Sequence, residues 1–231
     1  MSNSNVQFAD VVEPQARAKV AFAPYAQSPL HDFGLAGKAR RPDGSCGVWM
    51  NELALLGYVI VRGDAQDPAF VRAVKTVLGV SLPVVPGTVT PFAQGVALWQ
   101  APDEWLLVCA RSARQACIAG LEAALATQHA QVVDNSGGLT MVYLTGAQQV
   151  TLLRHVGVYD FEALRPGHLA STVCGKATIT VFRHDDQGIF LIFRRSFADY
   201  VWRLLSKAAR PYGLGIAAYD PAPAHPVLRL A

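Results

Sequence analysis

The 231-residue chain is short of charge. Asp, Glu, Lys and Arg make up 16% of it, against about 25% in ordinary soluble domains. That scarcity, beside 52% hydrophobic residues, excludes an intrinsically disordered chain, which is poor in apolar side chains and rich in charge. The chain also lacks a run of about 18 uncharged apolar residues, the length a membrane-crossing helix needs. Its start, Met1-Ser-Asn-Ser-Asn-Val-Gln-Phe8, lacks the basic and then apolar layout of a secretory signal, so a folded cytoplasmic protein is expected. Net charge is only +3, from 20 basic and 17 acidic residues. That is too small and too scattered to argue for nucleic-acid binding. Cys46, Cys109, Cys117 and Cys174 form no CxxC pair and no zinc spacing, so free thiols are expected. The surplus of uncharged surface implies either a large core or a surface covered by other subunits, since obligate interfaces resemble a domain core cut in half.

Catalytic motifs are missing as well. Gly37-Lys38 and Gly175-Lys176 have Asp32 and Ala170 where a P-loop needs its first glycine. Gly213-Leu-Gly215 lacks the third glycine of a dinucleotide fingerprint, and GxSxG and HExxH are absent. The six histidines are scattered, with no pair at i, i+4. Catalytic, cofactor-binding and metal-binding residues are therefore expected to be none. Asp134-Asn-Ser-Gly-Gly138 offers either a backbone nest for an anion or a turn between strands. Trp99, Trp105 and Trp202 read as core or interface anchors. Arg194 and Arg195 are adjacent on a strand, so they point to opposite faces and at most one turns to the core side.

What is present is a pattern that occurs twice. Leu55–Arg62 reads as a strand, followed by a helix capped by Asp67, opened by Pro68 and ended by Gly79. Strands follow near 95–100 and 104–110. Ser112-Ala-Arg-Gln115 reads as a capping box before a helix bearing Cys117, Leu121, Ala124 and Leu125, and Ala130–Asp134 is a closing strand. The second copy runs from a strand at Leu139–Leu144 through a helix at Ala147–Val156 to strands at Ala177–Arg183 and Ile189–Arg195. Its second helix is capped by Ser196 and lined by Phe197, Val201, Leu204, Leu205 and Ala208, and a last strand falls in Tyr212–Tyr219. Arg111-Ser112 and Arg195-Ser196 lie 84 residues apart at the same junction; Pro86-Gly87 and Pro166-Gly167 lie 80 apart. Each copy is a βαββαβ unit. The expected fold is α+β, with two ferredoxin-like units in pseudo-duplicate. Residues 51–135 form the first and 136–219 the second. An irregular N-terminal arm spans 1–50, and a Pro-rich tail spans 220–231.

Several segments resemble the gamma subunits of heterotetrameric sarcosine oxidases: Ser28-Pro-Leu30, Leu55-Leu-Gly-Tyr-Val-Ile-Val-Arg-Gly-Asp64, Pro102-Asp-Glu-Trp-Leu-Leu107, Val132-Val-Asp-Asn-Ser-Gly-Gly138 and Arg194-Arg-Ser-Phe-Ala-Asp-Tyr200. The resemblance implies an aminomethyltransferase-like fold and a complex that oxidatively demethylates sarcosine to glycine with oxygen and tetrahydrofolate. It implies partners, the alpha, beta and delta subunits, that hold FAD, FMN, NAD, tetrahydrofolate and zinc, while the gamma chain holds no cofactor and has an assembly role. A gamma-type subunit of an N-methylglutamate dehydrogenase and a stand-alone folate-binding module are the alternatives. The KGCxxGQ-type motif of folate-linked proteins of this fold is not spelled near Cys174-Gly175-Lys176. Expected subunit contacts are Tyr25, Leu30, Phe33, Arg40, Arg41, Arg194 and Arg195, with the arm around Tyr25–Phe33 ordered mainly by a partner.

Overall fold

The computed structural model describes residues 26–219 and 226–230. A short helix α1 (Leu35–Lys38) leads to strands β1 (Val48–Leu53) and β2 (Gly57–Arg62). Helix α2 (Pro68–Leu78) is followed by β3 (Val89–Phe92), β4 (Gly95–Ala101) and β5 (Glu104–Cys109). Helix α3 (Arg114–Leu125), β6 (Gln131–Asp134) and β7 (Leu139–Thr145) come next. The chain continues through α4 (Gln149–Val156), β8 (Leu169–Cys174), β9 (Ala177–Phe182), β10 (Gly188–Arg194), α5 (Ala198–Ala209) and β11 (Leu214–Ile216).

Two sheets result, ordered β3-β4-β5-β2-β6 and β11-β1-β7-β10-β9-β8. In the first, β2 pairs antiparallel with both β5 and β6, and β4 with β5. This is the pairing of a ferredoxin-like βαββαβ unit, with β3 added at the edge. The second repeats it through β7, β9 and β10, with β8 as the added edge. The sheets pack face to face with helices outside. Along β5, Trp105, Leu107 and Cys109 pack with Phe70 and Leu121 of the outer helices, while Leu106 and Val108 pack with Met141 and Phe190 of the other sheet. Along β10, Ile189, Leu191 and Phe193 meet Leu152, Val201 and Leu205, while Phe190 and Ile192 join the layer between the sheets. Central strands buried on both faces read as unbroken apolar runs, and each such side chain contributes about 1.5–3 kcal/mol on burial.

The two copies meet where their edge strands begin. Val89 N–H donates to the Gly167 carbonyl at 2.9 Å, and Leu169 N–H donates to the Gly87 carbonyl at 2.8 Å. Gly87 and Gly167 have φ of +70° and +76°, a conformation that favours glycine. The paired Pro-Gly signals of the sequence therefore mark a reciprocal bridge.

Four local expectations change. Residues 1–50 read as irregular, but β1 forms across that boundary and belongs to the six-stranded sheet. It lies antiparallel to β7, with Trp49 opposite Thr145 and Leu53 opposite Met141, and parallel to β11. Ser112 and Ser196 cap nothing: the N-caps are Ala113 and Phe197, because a turn or a 3-10 segment separates each serine from its helix. The buried face of α5 is Ala198, Val201, Trp202, Leu205 and Ala209, with Phe197 exposed. Trp202 turns inward into the core of the six-stranded sheet, where Phe33 packs on it, ring centroids 6.0 Å apart. The edge strands β3 and β8 were not expected at all. By contrast, Asp67 caps α2 by accepting from Ala69 N–H at 2.8 Å, and Gly79 ends that helix. The Pro-rich tail lies largely in 220–225, outside the described residues.

Candidate functional site

The most chemically pointed cluster lies where the N-terminal segment meets β1 and the β10–α5 junction. Glu52 is set on β1, amid largely apolar surroundings. Thr140 Oγ1 donates to its Oε1 at 2.5 Å, and Ser28 Oγ donates to its other oxygen. Ser28 Oγ also accepts from Leu30 N–H at 2.9 Å. Arg195 donates through its guanidinium to the Gln27 carbonyl, and its main-chain N–H donates to the Gly138 carbonyl at 2.9 Å. Burial raises the Glu52 carboxyl above its ordinary value, although the Ser28 and Thr140 hydroxyls and the Arg195 charge act the other way. The cluster fastens the segment before β1 to β7 and to the β10–α5 junction. It presents no nucleophile and no acid–base pair to solvent.

The expected contact residues fall into two groups. Tyr25 lies outside the described residues. Leu30 is 1% exposed and packs in the core of the six-stranded sheet, which corrects its assignment as a surface contact: the side chain is spent on this chain's own interior. Phe33 is half-buried between Trp202 and the Arg203 guanidinium. Arg40 pairs with Asp43 at 2.9 Å, stacks over Trp49 and bridges its backbone to Ala217. Arg195 is half-buried while Arg194 and Arg41 are exposed; β10 ends at Arg194 and Arg195 opens a 3-10 turn, so the pair does not share a strand.

The glycine-rich link is a turn satisfied by its own chain. Ser136 Oγ accepts from Tyr58 N–H and Ser136 N–H donates to Asp134 Oδ1, each at 3.0 Å, while Gly138 N–H donates to the Asn135 carbonyl at 2.9 Å. Beside it a cleft of about 190 Å³ opens between the sheets, lined by Gln100, Glu104, Asn135, Thr178 and Arg194. A wider bowl of about 920 Å³ lies at the other end of β6, lined by Arg62, Asp64, Asp103, His129 and Gln131. Burial pushes the Cys109 thiol up to about 12 and the Cys174 thiol up to about 11. At neutral pH these are packed thiols, not nucleophiles. All four cysteines are free. Among the described residues, no three His, Cys, Asp or Glu side chains gather as metal ligands, and no helix is long and apolar enough to cross a membrane. Glu52 escaped the sequence reading because a single carboxylate in Met50-Asn-Glu-Leu53 carries no spacing signal.

Two ferredoxin-like units packed sheet to sheet define the class of protein: a doubled α+β body. Over 84% of its length the chain is similar to 99% of a chain of the heterotetrameric sarcosine oxidase from Corynebacterium sp. U-96 in complex with pyrrole 2-carboxylate, with a TM-score of 0.73 and 23% identity. It is also similar to the glycine cleavage system aminomethyltransferase T from Bartonella henselae, with a TM-score of 0.61 and 14% identity over 82% of this chain and 58% of that one. No curated protein sequence matches the chain. A sequence profile of the sarcosine oxidase, gamma subunit family matches residues 62–210. The chain belongs to that family, and so to the subunits of an oxidoreductase.

Proposed function

We propose that the chain is the non-catalytic, assembly-bearing gamma subunit of a heterotetramer that oxidatively demethylates sarcosine to glycine, with oxygen as electron acceptor and tetrahydrofolate as one-carbon acceptor. The observation that carries this reading is the family match over residues 62–210. The similar sarcosine oxidase chain, matched over 99% of its length, supports it. The polar side chains of Glu52, Ser28, Thr140 and Arg195 are used to hold the fold together, and the buried thiols are held in their protonated form. On this reading alpha, beta and delta subunits are the partners, and FAD, FMN, NAD, tetrahydrofolate and zinc reside in them. Arg41 and Arg194, both exposed, are this chain's polar contacts to those subunits.

Co-expression with alpha, beta and delta subunits of a sarcosine oxidase from the same source tests the proposal. The expected result is a yellow complex that contains this chain and turns over sarcosine, beside an isolated chain that is colourless and inactive. A yellow isolated chain, or sarcosine turnover by it alone, contradicts the reading.

A further inference from the structure

Three of the four sheet edges carry a device that blocks further pairing, a common protection of exposed strands. At β3 it is Pro91, which has no N–H to offer. At β8, the bridge to Thr88 holds one end at His168, and the Gly157 backbone lies so close to the Val173 carbonyl that an added Cβ would come within 2.9 Å. At β11, Arg40 N–H donates to the Ile216 carbonyl and Ala218 N–H donates to the Arg40 carbonyl. Strand β6 differs. Asn135 N–H donates inward to the Tyr58 carbonyl, and β6 runs antiparallel to β2 with Val59 opposite Asp134 and Val61 opposite Val132. Antiparallel pairs alternate, so the N–H and C=O groups of Val132 and Asp134 point away from β2. No described residue pairs with them.

The other half of the molecule shows what such an edge accepts. Strand β1 sits against β7 as β6 sits against β2, and the outer side of β1 is occupied by β11 in parallel register. The N-terminal end of β6 opens onto the bowl lined by Asp64, Asp67 and Asp103, with Arg62 the one Lys or Arg among its lining residues. Arg62 is already paired with Asp103 at 2.6 Å, whereas Asp64 has no ion pair among the described residues.

We propose that β6 is a strand-addition site: an extended segment of a partner subunit joins it in parallel, with a Lys or Arg at the segment's N-terminal end set beside Asp64. This rests on the chain being a subunit of a larger complex. Main-chain hydrogen bonds give such a contact its affinity and the charge gives it register.

Residue-resolved amide exchange on the free chain and on the purified heterotetramer tests it, with Asp64→Lys as the paired variant. The Val132 and Asp134 amides are expected to slow about tenfold or more on assembly, roughly what one added hydrogen bond gives, and Asp64→Lys is expected to weaken retention of the chain in the complex. Unchanged exchange at both amides in a complex that does contain the chain overturns the strand-addition site and leaves the assembly reading standing. A chain that enters no complex overturns both.

Discussion

The two halves of this molecule solve the same packing problem with different strands. In the first, the slot beside the opening strand β2 is filled by β6, which follows the unit's own second helix. In the second, the slot beside β7 is filled by β1, drawn from the segment that precedes the first half, and the strand after α5 is displaced one place outward. The difference extends to individual contacts. Gly57 lies opposite Cys109 in the first half, close enough that a Cβ would approach the sulfur to 2.7 Å. At the matching position of the second half, Thr140 lies opposite Phe193 and its hydroxyl reaches Glu52 on the borrowed strand. The sheet and the outer helices thus recur in both halves, while the N-terminal segment supplies a polar lock that, among the described residues, the second half alone has.

The largest expected effects ask whether the halves are equivalent in their cores. Leu121 on α3 and Leu205 on α5 are both fully buried. Leu121→Ala and Leu205→Ala should each cost about 2–5 kcal/mol in urea unfolding, as buried leucine truncations do. A large cost at one and none at the other would break the equivalence of the two helices.

The lock comes next. Thr140→Val removes the hydroxyl from Glu52 while keeping the side chain's shape, and should cost about 1–3 kcal/mol, the usual effect of leaving a buried polar group short of a partner. Fluorescence-monitored denaturation checks this; a neutral result would mean that Ser28 and Arg195 hold Glu52 without it.

The same carboxyl sharpens the comparison through pH. Its folded value is raised above its ordinary 4.5, chiefly by burial, so the folded state binds the proton more tightly than the unfolded state. Its contribution to stability is full below about 4.5 and is lost as pH rises through the raised folded value. The stability difference between wild type and Glu52→Gln should therefore shift against the wild type as pH rises through that window. A difference that stays flat with pH would contradict the raised value.

The smallest effect belongs to the surface. Asp199 and Arg203 pair at 2.9 Å on the exposed side of α5. Asp199→Ala should change stability by no more than about 0.5 kcal/mol, and less in high salt; thermal melts at two ionic strengths check it.

Much of this architecture was legible because its signals are local. Asp67-Pro68 and Gly79 punctuate α2, and the Pro-Gly pairs fall at equivalent places. The runs Leu106–Cys109 and Phe190–Phe193 are apolar because both their faces are buried. Strand β1 was hidden for related reasons. Val48, Trp49 and Met50 are buried in succession, so the run has no period of two, and Asn51 and Glu52 look like loop residues until their partners arrive from elsewhere. Those partners are far away in sequence: Asn51 Nδ2 donates to the Ala217 carbonyl, and Glu52 meets Ser28 and Thr140. The burial of Trp202 agrees with its reading as an anchor, but its contact with Phe33, 169 residues earlier, is visible only in the fold. The Glu52 lock, by contrast, exists only in the fold, where Ser28, Thr140 and Glu52 come together.

Amide exchange on the free chain tests the central claim most directly, that the segment before the first half is built into the second. The account predicts that the amides of β1 are as protected as those of β7, and that the Leu30 amide is protected along with them, in the chain alone. If residues 28–53 exchange freely in the isolated chain while β7 stays protected, that segment is ordered by a partner subunit, and the account is contradicted.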